Sequence, residues 1–587
     1  MNEEPKSIWK RSWTGWRGLA LWFVALFVTA FFIIFFMSVA YRLENRYAKS
    51  AAFAVICGVG VALIAILLFV FIRWLCCWKN FRRVLFACAC LVTSIALFYA
   101  EEDWRGWHAW NQFKHKWEAK GEKFDWQSVV PPPVPNDQNF AMAPIWVESM
   151  KAMLGPKNSR QWFGSNYAEN GRTNFVYRFD MPLTKSDSDW PTNSSGNWQK
   201  ARLTDLKPWQ NYYRALAATT NLFSVAPQPE SPALDVLLAL SKYDSTIEEL
   251  RQAGQRPYSQ FPLYSNPDHP FDTLLPHLAA LKRCTQVLQL RTIAELQAGQ
   301  SEKALDDVKL MLRLTDAVRT EPFLISHLVR IAMVSINLQS IWEGLAEHKW
   351  TDAQLIELDA GLARLDFLAD YELSMRGERI CAISALDYIR RTHDTTQLQG
   401  GDERHHPVNL GWLIPSALFY QNELTIARMH QQWTLPLVDL ESRTVSPATV
   451  RRSQLEADQQ LTHHWWPYKF VARMLFPAFE KAVEKFAYAQ ESVDLARVAI
   501  ALERYRLAHG EYPDSLDALA PQLMQKIPHD IIGGGPLHYR RTDDGQFVLY
   551  SVGWNETDDG GVVEYLRNSQ KMVDIDRGDW VWRYPAK

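Results

Sequence analysis

Three stretches run almost without charge, Gly18–Tyr41, Ala51–Ile72 and Val84–Ala100, whereas the rest of the chain interleaves polar and apolar positions. Each is close to the length of a helix that crosses a hydrocarbon core of about 30 Å, and the third is the shortest, short enough to be re-entrant. Spanning helices are the simplest reading, because lipid offers no partner to an exposed backbone amide. A cleavable signal peptide fits poorly, since the first run is long and two more follow it. Lys6, Lys10, Arg11 and Arg17 precede the first run and Arg73, Lys79, Arg82 and Arg83 fill the second connection, whereas Glu101, Glu102 and Asp103 follow the third. The positive-inside rule puts the N-terminus and that connection in the cytoplasm and, with three crossings, the bulk of the chain outside it. Arg42, Arg46 and Lys49 in the first connection oppose the contrast. Trp9, Trp13, Trp16, Trp22, Trp74 and Trp78, near the ends of the runs, read as anchors at the membrane interface.

Beyond this bundle, 1–103, the periodicity changes. Trp104, Trp107, Trp110, Phe113 and Trp117 recur at helical steps, giving a helix with one aromatic face that lies along the membrane surface or packs on the next domain. Pro131, Pro132, Pro133 and Pro135 then make a semi-rigid spacer, which closes a segment 104–145. Residues 146–209 read as irregular with a little β-structure, including a strand-like run at Phe175–Phe179. From 210 to 478 helical patterns dominate. Leu281–Ala298 ends at Gly299, Ser301 is placed to cap the next helix, Glu321-Pro322 starts a third, and Thr351 with Gln354 forms a capping box. The stretch Ala294–Leu305 is similar to the turn of a tetratricopeptide-type hairpin, although no second copy follows at a fixed period.

Composition removes some options. The net charge of −2 over 587 residues lacks the basic excess that a phosphate backbone requires, so nucleic acid is not an expected partner. Of seven cysteines only Cys284 and Cys381 lie outside the apolar bundle, as two buried thiols or one disulfide. No Gly-x-Ser-x-Gly elbow, phosphate loop or dinucleotide fingerprint occurs in a strand-to-helix context. The neighbouring pairs His405-His406 and His463-His464 point apart on any regular backbone, which disfavours a metal.

The C-terminal segment is the most specific. A long helix ends Leu507-Ala-His-Gly-Glu-Tyr-Pro513, Ser515–Leu519 follows, Leu537–Arg541 and Phe547–Val552 flank an Asp543-Asp544-Gly545 turn, and Gly553–Gly561 contains Asp558-Asp559-Gly560. This order resembles the periplasmic part of type II secretion pseudopilins over Phe479–Gly561. Lys469–Pro477 stands where a pseudopilin carries its basic leader and apolar helix extension, so processing by a prepilin peptidase is not expected. The resemblance implies a small α+β module over 479–587 and, in the terminal loop, calcium held by Asn555, Asp558 and Asp559, oxygen donors of the kind a hard cation takes. The tryptophan-rich segment, Pro131-Pro-Pro133 and the ending Trp580-Val-Trp-Arg-Tyr-Pro585 are similar to a family of uncharacterised bacterial multi-pass envelope proteins.

One constellation carries chemistry in the helical middle. Glu372, Arg376, Glu378 and Arg379 sit in one otherwise apolar helix and His327 and Arg330 in another. They are either a polar pocket with acid, base and cation present or an ion-pair network between packed helices. The expected fold class is mainly α, with three transmembrane helices, an irregular helical-hairpin middle and a small α+β end. The expected function is an extracytoplasmic scaffold of the bacterial inner membrane, with the lipid bilayer and other envelope proteins as partners. The alternative is a membrane-anchored hydrolase of peptide or cell-wall material.

Overall fold

A computed structural model of the chain describes residues 16–40, 57–60, 62–68, 71, 74, 78–163, 176–192, 194–263, 273–394, 411–462, 467–566 and 572–586. It divides into two compact units, 1–102 and 103–587. In the first, helix α1 covers Trp16–Ala40, and α2, Trp78–Glu118, begins there and ends in the second unit.

The expectation of three spanning helices is corrected. Among the described residues two helices are long and apolar enough to cross a membrane, α2 and Leu324–Ala346. The second is more than half buried inside the protein and is a core helix. The first two apolar runs contain shorter apolar helices, Trp22–Ile34 and Cys57–Leu68. The third and shortest run, short enough to be re-entrant, is part of a helix of 41 residues, and none of its apolar window is buried. Trp22, Trp74 and Trp78 are exposed; Trp9 and Trp13 lie outside the described residues, and Trp16 is placed only as the first residue of α1.

The second unit is mainly helical. Helix α3, Pro144–Phe163, follows the proline spacer, and α4 (Leu206–Ala217), α5 (Pro232–Leu240) and α6 (Asp244–Gly254) come next. Phe175 falls outside the described residues, and the rest of the expected strand is turn and coil. Then α7, Pro276–Gln297, turns at Gly299, whose φ of +75° suits a residue without Cβ, into α8, Ser301–Asp316. Ser301 is therefore the first helical residue and not the cap. Next come α9 (Leu324–Ala346) and α10 (Asp352–Leu362), whose Thr351–Gln354 capping box is formed as expected. Helices α11 (Phe367–Thr392), α12 (Ser416–Met429), α13 (Pro447–Thr462) and α14 (Phe470–His509) complete the set.

Helix α14 is the centre of this unit. It packs on α9, α10, α11, α12 and α13, and Phe486, Ala487, Ala496, Val498 and Leu502 along it are fully buried. An apolar side chain so placed contributes about 1.5–3 kcal/mol, which requires a partner on every side of the helix. The partners on one side are strands β4 (Phe547–Ser551) and β7 (Trp580–Arg583), which form with β3 (His538–Arg541) an antiparallel sheet in the order β3-β4-β7. Two short hairpins, β1 (Val438–Asp439) with β2 (Thr444–Val445) and β5 (Val563–Tyr565) with β6 (Val573–Gly578), lie outside that sheet. The two-residue period of β4 serves two cores: Phe547 and Leu549 join the main one, Val548 and Tyr550 a small one with Val563. The order expected for the C-terminal segment, helix, Gly-x-Tyr-Pro, short helix and hairpin, is present, with Gly510 left-handed at φ +87°. Its residues nevertheless share one continuous core with the helical middle: Trp582 lies 5.3 Å from Trp198, and Trp342 Nε1 donates to Arg583 O at 3.0 Å.

Gly344 on α9 lies beneath Trp350, where an added Cβ would come within 2.0 Å of the indole nitrogen. Gly344→Ala is expected to lower the denaturation midpoint of the purified chain by the equivalent of about 1–3 kcal/mol. Gly254→Ala, whose Cβ would meet only the Arg313 side chain at 3.4 Å and Leu310 at 3.8 Å, should leave it nearly unchanged.

Candidate functional site

The N-terminus of α9 has no side-chain cap of its own. A carboxylate from α11 supplies one: Leu324 N–H donates to Glu378 Oε1 at 2.8 Å. Burial pushes the Glu378 carboxyl above its ordinary range, and that N–H pulls it part of the way back. Gly377 permits the approach, because a Cβ at that position would fall 1.8 Å from the Pro322 carbonyl oxygen.

Behind this contact runs a buried polar seam. Arg330, fully buried, pairs with Asp370, donates to Asp316 Oδ1 at 2.9 Å and to Thr315 O at 3.2 Å, and lies 5.0 Å over the Phe367 ring. His327 Nε2 donates to Glu321 O at 2.7 Å, and its Nδ1 stands 3.7 Å from Asp370 Oδ2. The Glu321 carboxylate takes the Ser326 hydroxyl on one oxygen and His277 Nε2, at 2.8 Å, on the other.

Nearer the surface the seam reaches the segment that follows α2. Arg376 pairs with Glu372 at 2.6 Å, as their four-residue spacing implies, and with Glu122 at 3.0 Å. Arg379, fully buried, donates to Glu122 Oε2 at 2.7 Å and to Lys123 O at 2.9 Å, with Phe124 stacked 4.5 Å from its guanidinium. Burial by itself would raise the Glu122 carboxyl; the hydrogen bonds and charges of Arg376 and Arg379 outweigh it and hold the group below its ordinary value of 4.5. Around the clamp, Trp110 and Phe124 are buried with Ile383, Leu424 and Ala427, and Phe113 and Trp117 pack against them. The aromatic face of α2 thus packs on the body from Trp110 onward, while Trp104 and Trp107 stay exposed.

No family model, no curated protein and no solved structure matches this chain. A cleft of about 730 Å³ opens beside the clamp, walled by residues 128–132 of the proline spacer on one side and by Arg319, Thr320, Asp370, Leu373 and Arg376 on the other. Of the six residues expected to form a pocket, Arg376 lines it and Glu372 pairs with Arg376, while His327, Arg330 and Arg379 are buried away from it and Glu378 caps α9. Both acids on the wall already face arginines, Glu122 those at 376 and 379 and Asp370 that at 330. Among the described residues no hydrogen bond joins a histidine ring to a Ser, Thr or Cys side chain.

In the terminal loop Asn555 turns its amide nitrogen to Asp559 Oδ2 at 2.8 Å, and Asp558 Oδ1 accepts from Gly560 N at 2.9 Å and Tyr550 Oη at 3.0 Å. The Gly560 amide and the Tyr550 hydroxyl hold the Asp558 carboxyl below its usual range. The three side chains brace their own turn, and among the described residues no three His, Cys, Asp or Glu gather as metal ligands. His405, His406, His463 and His464 lie outside the described residues.

The sequence reading missed Glu122, Asp370, Glu321 and His277, whose partners lie dozens to hundreds of residues away. It also missed Glu343, which accepts from Thr204 N at 3.1 Å, Thr204 Oγ1 at 2.5 Å and Gln339 Nε2 at 2.6 Å, and whose carboxyl burial pushes up to about 7.

Two outcomes test this electrostatics. Glu122→Gln is expected to cost about 3 kcal/mol, at the low end for breaking a buried pair because Arg376 is part exposed. Its contribution exists above pH 4.5 and is lost as pH falls through the lowered native value, so the variant's stability should vary less with pH in that acid range. Glu343 has the opposite sign: the folded state holds a proton that the unfolded chain releases between pH 4.5 and about 7, so stability falls as pH rises across that window. Glu343→Gln should match the parent below pH 4.5 and exceed it at pH 8, by roughly 3 kcal/mol.

Proposed function

We propose that this chain is a membrane-anchored scaffold or interaction component of the bacterial envelope. The observation that carries the reading is the Glu122 clamp: Arg376 and Arg379 pair with Glu122 and Arg330 pairs with Asp370, and the two Glu122 pairs fasten the segment after the apolar helix to the body. Such an arrangement serves to hold parts together; a reaction would need an acid or nucleophile turned toward open volume.

Charge on either side of α2 supports an extracytoplasmic location: Lys79, Arg82 and Arg83 stand before its apolar run and Glu101, Glu102 and Asp103 after it, the asymmetry that the positive-inside rule associates with a non-cytoplasmic side for residues from 103 onward. The pseudopilin resemblance adds other envelope proteins as partners, and calcium at Asn555, Asp558 and Asp559 belongs to the same reading.

A second reading, a membrane-anchored hydrolase, is carried by the cleft, whose volume suits a small ligand and whose wall bears Arg319 and Thr320 beside Asp370. Arg319→Ala and Thr320→Ala separate the two, since both residues are exposed and neither belongs to the clamp. The scaffold reading expects proximity labelling from the full chain in cells to return the same envelope proteins for parent and variants. Hydrolysis of peptide or cell-wall fragments by the purified chain, lost in either variant, would favour the hydrolase and reject the scaffold.

A further inference from the structure

In the second unit α2 at Asp103 lies beside the start of α12, and α14 starts beside the middle of α12. Asp103, where this unit begins on α2, accepts the Ala417 N–H of α12 at 2.6 Å. Three residues on, Gly106 is packed so closely that a Cβ would lie 3.2 Å from Ala417 Cα and 3.3 Å from Tyr420 Cβ, and Trp110 then shares an apolar cluster with Leu424 and Ala427. The contacts advance along both helices in the same sense, so the start of α12 lies beside Asp103. Helix α14 runs in the same sense from a level nearly two turns into α12: Asn422 Oδ1 accepts Val471 N–H at 3.2 Å, and eight residues later the ring of His430, the residue after α12, is 5.0 Å from that of Phe479.

Large apolar side chains are exposed at this end. Trp104 is 62% exposed, Trp412, just before α12, 68%, and Phe470, the first residue of α14, 65%, with Trp107 and Met474 also open. Cations accompany them, Arg105 between the two tryptophans of α2 and Arg473 beside Met474, both exposed. The chain reaches Asp103 directly from the run Leu85–Tyr99, whose side chains are largely exposed as well. Rings with a polar edge next to arginines are what the headgroup layer takes up, the ring body entering the acyl boundary and the cation meeting phosphate.

We infer that this end, presenting Trp104, Trp107, Trp412, Phe470 and Met474, rests on the headgroup layer of an anionic phospholipid bilayer. The inference rests on the membrane-anchored reading and adds that the body is seated on the bilayer and does not hang free of it.

The test uses the full chain in nanodiscs of phosphatidylcholine with or without phosphatidylglycerol, carrying the photoreactive residue p-benzoylphenylalanine in place of Trp412 or Phe470, and of exposed Val562 as a control. Lipid adducts detected by mass spectrometry are expected at 412 and 470 and not at 562. Their yield should be higher with phosphatidylglycerol and fall roughly fivefold for each of Arg105→Ala and Arg473→Ala. Adducts to protein only, whether a second copy or another chain, would overturn the lipid assignment, as would an absence of adducts at both positions in chains that stay in the discs. Failure of the chain to remain in discs at all would instead overturn the membrane reading on which this one stands.

Discussion

A guanidinium cannot shed its charge inside a protein, and Arg379 is buried completely. It must be met by an anion, and that anion, Glu122, comes from the segment just after α2 and not from the helical body. One consequence is mechanical. The aromatic face of α2 buries Trp110, the clamp holds the Glu122 carboxylate and the Lys123 carbonyl, and the proline spacer continues into a β-bridge between Asn139 and Tyr258. Residues 110–139 are thus fixed to the rest of their own unit at successive points along the chain, and the cleft beside the clamp exists because this segment is held there.

The second organising element is α14. A helix whose middle, 486–502, is buried against the helical body cannot belong to a detachable module, however self-contained its strand and turn pattern looks. The final strand closes over it and reaches back to Trp198 and Trp342. Removing the C-terminal segment would expose the middle of the core, so the partners of this region are properly sought with surface substitutions.

What could be read from the residues, and what could not, divides by range. The capping box at Thr351, the left-handed Gly299 and Gly510, the hairpin at Asp544-Gly545 and the Glu372–Arg376 pair are local, and each was legible because its cause lies within a few residues. The apolar runs were legible as apolar but not as spans: length and hydropathy also describe α9, a core helix, and the third run continues smoothly into the amphipathic helix after it. The candidate polar residues divide between the Arg330–Asp370 pair, the Glu378 cap and the Glu122 clamp. That they form a fastening depends on Glu122, more than 250 residues distant from Arg376 in sequence, and no periodicity signals such a partner.

The central claim is that residues 103–124 are one cooperative piece with the body. Hydrogen exchange of the full chain in nanodiscs measures this directly. The account expects amides of 106–118 to exchange as slowly as those of α11, and both to quicken together in mild denaturant. Exchange of 106–118 orders of magnitude faster than α11 under native conditions would mean a hinged tether and would contradict it.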